Sequence, residues 1–329
     1  MSFSVDLLNS IRNEASQEYQ NRVPVATQDN IDRVGNALQT YNLVYNEYFP
    51  ALVHKIGLSQ IESKLFKNKL ARFKSGTIYT EQDVEEIFIE MAKAEGAFDG
   101  KGTNPLGRRN NPDVKVVYHR LNREDVYAIT VGDMDIRRAF GSAATHDVFV
   151  TGLFNALYSG AEYDEYVMMK RLLGSYNGYC KVTGCTEPTD HETAKDFVKN
   201  VQKVATDLTF ASKAYNKQGV TTWTEKAKQV LFVHKDVVAE IDVEVLARAI
   251  NQNKTDVPVE IVTLDDFGEL TDALAVLADE DIFKVWDTLM VTETQRNAHG
   301  LFTNVFLHVH QIQSLSPFKN AVLFTTATE

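Results

Sequence analysis

The sequence lacks any apolar run long enough to span a lipid bilayer. A membrane-spanning helix needs about 20 consecutive apolar residues, and no segment of the 329 residues approaches that length. The N-terminal residues also lack the basic segment and apolar core of an export signal, because Asp6, Arg12 and Glu14 interrupt them. We therefore expect a protein that is neither integral to a membrane nor exported by that route.

Cysteine is almost absent. Cys180 and Cys185 are the two cysteines of the sequence, and neither lies near a second cysteine or histidine pair at the spacing of a metal finger. Disulfides are rare in proteins of reducing compartments. We interpret both residues as reduced thiols in a cytosolic setting, and we expect no structural metal or cofactor.

The sequence also lacks an excess of basic residues. Its 34 lysines and arginines face 45 aspartates and glutamates, which gives a formal net charge of −11. A sequence-independent grip on nucleic acid needs a basic surface that displaces counterions. The charge therefore excludes a general nucleic-acid binder, although a protein that merely lies beside nucleic acid could carry it.

Motifs for phosphate binding and nucleophilic catalysis are missing. The segment GAFDGKGT has three residues between its glycines where a phosphate-binding loop has four, Gly102 follows Lys101, and Pro105 interrupts the next turn. No segment has the Gly-x-Ser-x-Gly pattern of a hydrolase elbow, and its partial matches KSG and YSG lack the leading glycine. Cys180 could approach His191 in space, but an activated thiolate needs an electropositive pocket that the sequence does not indicate.

Paired carboxylates recur along the chain. The pairs are Asp133 with Asp135, Asp265 with Asp266, and Glu280 with Asp281. Catalytic pairs need opposed environments that separate their pKa values, and the neighbouring sequence supplies neither an apolar pocket nor a fixed cation. The sequence favours a solvated acidic face.

Two histidines stand near the C-terminus in the segment FLHVHQIQ. In a strand His308 and His310 point to one face, between Phe306 and Ile312. A metal site would need a further ligand, from His299 or elsewhere. We interpret the pair as part of a sheet wall and predict no metal site there.

The sequence predicts a mixture of helices and strands. Residues 1–57 show helical periodicity through Ile31, Val34, Leu38 and Tyr41. We predict that this segment is an extended arm or a pair of helices. Two β-rich runs within residues 76–131 flank a stretch with four glycines and two prolines, which predicts a mobile loop at the tip of a projecting antiparallel hairpin.

The longest predicted element is a helix from Thr145 to Tyr176, stopped by Asn177 and Gly178. A second helix begins at a capping box of Thr189 and Glu192 and places Phe197, Val201, Val204 and Leu208 on one stripe. The segments QVLFV, VEIVTL and ALAVLA predict buried strands, with a helix in DVEVLARAI between the first two.

Longer segments resemble a known family in order and spacing over residues 5 to 325. They are NRVPVATQDN, GTIYTEQDVEEIF, NPDVKVVYHRLNREDVY, NALYSGAEYDEYVMMKRLL, AEIDVEVLARAINQNKTD and RNAHGLFTNVFLHVHQIQSLSPFKNAVLF. The family is the major capsid (head) protein of phi 29-like small short-tailed phages. The resemblance implies an α+β protein with the Hong Kong 97-type capsid fold.

The resemblance also implies a domain arrangement. Residues 1–57 would form an N-terminal arm and the entry to the peripheral domain, 58–75 peripheral domain, 76–131 an extended β-hairpin loop, 132–176 peripheral domain with the spine helix, 177–285 the axial domain, and 286–329 strands that return to the peripheral domain. Some relatives add an immunoglobulin-like surface domain after the final strand, and none is expected before Glu329. The family usually has an aromatic residue at the position of His310, which favours the sheet wall.

The implied function is self-assembly into an icosahedral head shell. The expected partners are copies of the chain in hexamers and pentamers, a scaffolding protein and a portal during assembly in the host cytoplasm, and enclosed double-stranded DNA that is not bound in a sequence-specific manner. An encapsulin-like nanocompartment shell and a soluble α+β enzyme with an unrecognised site are the alternatives.

Charges in the predicted hairpin suggest where copies meet. Its two strands carry interleaved acids and bases that suit charge-complementary docking. From charge type alone, we expect Arg108, Arg109, Arg120 and Arg123 to contact acidic groups on the adjoining subunit.

Overall fold

The chain divides into two compact units that are each assembled from separate segments. The computed structural model describes residues 3–58, 66–78, 82–94, 111–175, 181–241 and 259–326. The first unit contains Met1–Ala71, Arg123–Tyr166 and Asp287–Gln311. The second unit contains Arg72–Asn122, Val167–Trp286 and Ile312–Glu329.

Helices and strands alternate along the described residues. The helices are α1 (Phe3–Glu14), α2 (Gln17–Arg22), α3 (Ile31–Thr40), α4 (Asn42–Leu58), α5 (Asp133–Ala139), α6 (Ala143–Leu173), α7 (His191–Asp207) and α8 (Lys235–Glu240). The strands are β1 (Gly76–Thr77), β2 (Val84–Ile89), β3 (Val114–His119), β4 (Leu121–Gly132), β5 (Lys181–Gly184), β6 (Gln229–His234), β7 (Glu260–Leu264), β8 (Ala273–Asp279), β9 (Phe283–Asn297), β10 (Phe302–Leu315) and β11 (Ala321–Thr325).

The N-terminal part of the first unit is helical, as predicted. Helix α3 buries Ile31, Val34 and Leu38 on one stripe. The predicted fourth member, Tyr41, follows the helix and is exposed, with the Arg22 guanidinium 4.2 Å above its ring. The apolar stripe therefore ends at Leu38.

Helix α6 confirms the long predicted helix, although its bounds differ. It begins at Ala143 because Ser142 and Thr145 exchange hydrogen bonds, Ser142 N to Thr145 Oγ1 at 2.9 Å and Thr145 N to Ser142 Oγ at 3.2 Å. It ends at Leu173, and the predicted stop at Asn177 and Gly178 lies outside the described residues. At 31 residues it is about 46 Å long.

The long strands β9 and β10 lie side by side in a sheet of order β1-β9-β10-β4. Along β10, Val305, Leu307 and Val309 are buried, while His308 and His310 lie on the opposite, half-buried face. The prediction that the two histidines share a face is confirmed. Among the described residues, no group of three or more histidines, cysteines, aspartates or glutamates is placed to hold a metal ion.

A five-stranded mixed sheet forms the core of the second unit, in the order β5-β11-β8-β6-β7. The three predicted buried strands are β6, β7 and β8, and they are confirmed. The helix predicted in DVEVLARAI, residues 242–250, lies outside the described residues. Helix α7 contributes its apolar face to the same core.

Helix α7 starts differently from the prediction. Asp190 caps it, because its carboxylate accepts the Thr193 backbone N–H at 2.8 Å while the Thr193 hydroxyl accepts the Asp190 N–H at 3.1 Å. The predicted box of Thr189 and Glu192 is therefore wrong by one residue. The predicted stripe is confirmed, and it consists of Phe197, Val201, Val204 and Leu208.

No helix among the described residues combines the length and the apolar composition that a membrane span requires.

Candidate assembly surface

The first part of the candidate surface is a two-stranded hairpin. Strands β2 and β3 pair antiparallel with Ile87 opposite Val116, as the sequence predicted. Residues 95–110 of the connecting loop lie outside the described residues. Side chains alternate between two faces of the hairpin. The inner face consists of Val84, Glu86, Phe88, Lys115, Val117 and His119, and the outer face consists of Glu85, Ile87, Ile89, Val114, Val116 and Tyr118.

The inner face packs against residues of its own unit. The Phe88 ring stacks on Phe318 with centroids 5.6 Å apart, and Glu86 accepts hydrogen bonds from Ser316 Oγ at 2.8 Å and His119 Nε2 at 3.1 Å. Burial raises the pKa of Glu86, but these two hydrogen bonds and the nearby Lys284 ammonium outweigh it and lower that pKa below its ordinary value. The described strands are therefore docked on the unit and do not project freely, contrary to the prediction.

Glu90, directly after β2, fixes the far end of the hairpin. Its carboxylate pairs with the Lys213 ammonium and accepts from the Thr221 backbone N–H at 3.1 Å and hydroxyl at 3.0 Å. The Lys213 hydrogen bond lowers the pKa of Glu90 to about 2, with smaller contributions from Thr221. Glu90 stays ionised, so this attachment persists into acid.

The outer face is exposed and, apart from Glu85, apolar. Its five apolar side chains are 40–61% exposed, and Glu85 accepts a hydrogen bond from the Tyr118 hydroxyl at 3.3 Å. A continuous exposed apolar patch on a folded protein usually marks an interaction site. Of the interleaved charges that the sequence analysis pointed to, Glu86 and Lys115 form their bonds on the inner face, within the unit, while Glu85 is on the outer face.

The predicted contact arginines lie in different environments. Arg120 is 75% exposed beside Asp83, with Nε 3.2 Å from its carboxylate. Arg108 and Arg109 lie outside the described residues.

Arg123 has its hydrogen bonds within its own unit. Only 2% of the residue is exposed, and Nε donates to Asp125 at 2.7 Å while the terminal nitrogens donate to Gln311 Oε1 at 2.6 Å, Tyr127 Oη at 2.8 Å and the Ala161 carbonyl at 3.1 Å. These bonds indicate that Arg123 stabilises the subunit. No local pattern signals this environment, since Gln311 is 188 positions away.

All three carboxylate pairs include a carboxylate that is paired with a cation, which corrects the prediction that none is available. Lys170 Nζ is buried and lies 2.8 Å from Asp265 and 2.7 Å from Asp266. Burial lowers the pKa of Lys170, but both carboxylates outweigh it and raise that pKa, so the ammonium stays charged. In the first unit Asp133 lies 3.1 Å from Arg296. Lys319 Nζ lies 3.4 Å from Asp281. The three arrangements are ion pairs that hold chain segments together.

The cysteine hypothesis for catalysis gains no support. Cys180 lies outside the described residues, and Cys185 is a half-buried free thiol. Burial raises the pKa of Cys185, although a hydrogen bond from Asn200 works against it. A protonated thiol is a poor nucleophile.

Sequence comparison decides the family. Residues 8–325 match the profile of the family described as Phi29-like phage major capsid protein. The chain belongs to this family. It is 35% identical to the major capsid protein of Bacillus phage B103 over 99% of this chain and 74% of that protein. It is also 35% identical to the major capsid protein of Bacillus phage PZA, over 98% and 73% of the two chains.

Structural comparison agrees at the level of the fold. A chain from the capsid structure of Staphylococcus phage Andhra superposes with a TM-score of 0.61 at 12% identity, over 82% of this chain and 88% of that one. The predicted α+β fold of Hong Kong 97 type is confirmed. The phi29-like family membership makes the protein a major capsid protein, a shell-forming component of the virion and not an enzyme.

Proposed function

We propose that copies of this major capsid protein form the hexamers and pentamers of an icosahedral head, and that the outer face of the hairpin is one of the surfaces through which they meet. Family membership supports the shell. The outer face supports the contact, because it exposes five large apolar side chains to solvent on a hairpin whose inner face is anchored to its unit.

The size of the outer face suits a repeated contact. Complete burial of an exposed isoleucine contributes about 1.5–3 kcal/mol, and because these side chains are already partly covered, each contributes less than that to a contact. Closed symmetry repeats each contact around the shell. Modest contacts allow misplaced subunits to leave before the shell closes.

The elements of the two units fit the proposed domains. We assign α6 to the spine helix and the hairpin of β2 and β3 to the extended loop. The five-stranded sheet and α7 belong to the axial domain. Because β11 pairs with both β5 and β8, the axial domain also takes in Ala321–Thr325.

The remaining partners follow from the proposed assembly. A scaffolding protein and a portal would join the subunits in the host cytoplasm, and the closed shell would enclose double-stranded DNA. The net charge of −11 supports a container with low affinity for its contents, because a basic lining would hold the DNA and resist its movement.

Replacing Ile87 by serine should raise the protein concentration needed for shell assembly by at least about tenfold, because an apolar contact of about 1.4 kcal/mol or more is lost at each interface. The change should leave the subunit folded, since the side chain is more than half exposed. Light scattering against concentration, with electron microscopy of the products, measures the effect.

The matched control is Ile87→Leu, which keeps the apolar area and should assemble like the original chain. If Ile87→Ser assembles at the same concentration as Ile87→Leu, the outer face is not a contact between copies.

The arginine proposal has its own test. Reversing the charge at Arg108 and Arg109, or at Arg120, should weaken shell assembly at physiological salt, and the difference should shrink at high salt as charges are screened. Arg138→Glu serves as the control for Arg120, since the Arg138 side chain is as exposed as that of Arg120 and Arg138 is not one of the proposed contact residues. Assembly unaffected by the reversals would remove these arginines from the interface.

A further inference from the structure

This acidic chain contains basic segments, and residues 195–228 form one of them. They contain seven lysines and three carboxylates, a formal charge of +4. Because the whole chain carries −11, the other residues together carry −15. The segment lies in the second unit and includes most of α7 and the loop that follows.

The loop after α7 is held in one conformation by buried hydrogen bonds. Asn216 is buried, donates to the Val220 carbonyl at 2.7 Å and accepts the Val220 N–H at 2.8 Å. Gly219 has a φ of 59°, which permits the tight turn between them. The Ala321 N–H donates to the Tyr215 carbonyl at 2.8 Å and ties the loop to β11.

Two large aromatic side chains stand exposed on this fixed loop. The segments that carry them are paired, since Ser212 and Thr222 exchange backbone hydrogen bonds of 3.0 and 3.1 Å and Thr224 N donates to the Leu208 carbonyl at 2.7 Å. Phe210 and Trp223 lie on these two paired segments, between the backbone bonds, and are 66% and 53% exposed.

Lysines lie on the segments next to the two aromatic residues. Lys203 is on the last turns of α7, and the bond from Gln229 Nε2 to the Ala205 carbonyl at 2.9 Å brings the segment that carries Lys228 beside that turn. Lys217 is on the loop itself. In the part of the chain that the structure describes, these three lysines are exposed and form no ion pair, unlike Lys213, which pairs with Glu90.

We propose that the aromatic–lysine face, defined as Phe210, Trp223, Lys203, Lys217 and Lys228, docks onto an acidic surface of a second copy of the chain. This inference rests on the proposed shell, in which every copy has neighbours. The second copy is the partner that matches in charge, because it presents −15 outside the basic segment.

The chemistry of the face suits a contact between proteins. Buried aromatic side chains cover about 150–250 Å² each and dominate interface energies. The lysines form a charged rim that orients the approaching copy and keeps apart faces of like charge. Because the loop is already fixed by Asn216, docking costs little further ordering.

The test compares assembly of the full-length chain with that of two variants and their conservative controls. Trp223→Ser should raise the protein concentration needed for shell assembly by about tenfold or more. Trp223→Phe should assemble at nearly the same concentration as the original chain. Changing the three lysines to glutamate should inhibit assembly at about 0.05 M salt and less at about 0.5 M, while changing them to arginine should have little effect. Thermal unfolding of each subunit verifies folding, and Phe210→Ser replaces Trp223→Ser if that variant does not fold.

The outcomes separate this inference from the proposed function. If the original chain forms shells and the serine and glutamate variants form them equally well, the aromatic–lysine face is not an interface. If the original chain retards a short DNA in a gel and the glutamate variant does not, the face binds nucleic acid and the inference is overturned. If the original chain forms no particles alone or with a scaffold, the proposed function itself fails and this interface with it.

Discussion

Replacing Gly174 by alanine should destabilise the subunit by about 3 kcal/mol or more. A Cβ at this position would lie 1.8 Å from the carbonyl oxygen of Phe267. The oxygen belongs to the backbone of a turn that Asp265 and Asp266 fasten to the buried Lys170, so the turn cannot move away without breaking that ion pair. Overpacking of a tight contact costs about 1–3 kcal/mol, and more when backbone must shift.

A matched control exists within α6, the helix that Gly174 follows. Gly152 faces open space, with no atom within 4 Å of the position that a Cβ would take, so Gly152→Ala should stabilise the subunit by about 0.5–1 kcal/mol through its better helix propensity. Denaturant unfolding of the three proteins measures both effects. Equal unfolding midpoints for the two variants would show that the contact between Gly174 and Phe267 is not tight.

Acid should destabilise the first unit through His146, by about 3 kcal/mol between pH 6.5 and pH 4. Burial lowers the pKa of His146 to about 4, although the Asp147 carboxylate works against it. The ring lies 2.7 Å from Ser4 Oγ through Nδ1, 3.0 Å from Tyr48 Oη through Nε2, and 4.8 Å from the Phe140 ring, centroid to centroid. The folded state therefore holds the neutral imidazole.

The direction of the effect follows from which state takes up the proton. The unfolded chain binds a proton at His146 near pH 6.5, and the folded chain does so only near pH 4. The stability from this residue is complete above pH 6.5 and is lost progressively as the pH falls toward 4, at about 1.4 kcal/mol per pH unit. Denaturant unfolding at several pH values measures the slope.

His146→Gln is the control for the acid effect. Glutamine keeps a neutral hydrogen-bonding side chain that does not titrate, so the variant should have a shallower loss of stability between pH 6.5 and pH 4, whatever its stability at neutral pH. Parallel slopes for the two proteins would show that His146 is not held neutral in the folded subunit.

Local patterns in the sequence predicted most of the elements. The sequence predicted the apolar stripes of α3 and α7, the long helix α6 and the strands β6, β7 and β8. Each of these elements buries apolar residues that recur at the spacing typical of a helix or a strand. Segment matches along nearly the whole chain predicted the family.

The sequence did not predict contacts between residues that are far apart in the chain. Alternation in β2 and β3 indicates two faces, but which face packs inward depends on contacts with Ser316 and Phe318, more than 200 positions from Glu86 and Phe88. The cation of Asp265 is likewise Lys170, 95 positions away. Because the prediction used charge type alone, it treated Arg120 and Arg123 as equivalent contact residues. Arg123 is in fact buried within its unit, whereas Arg120 is exposed.

Electron microscopy of the purified chain, expressed alone and together with a scaffolding protein, tests most directly whether the protein assembles with copies of itself into a shell. Closed, hollow particles of uniform size are the expected result. Single subunits under every assembly condition, especially with turnover of a small molecule, would contradict it.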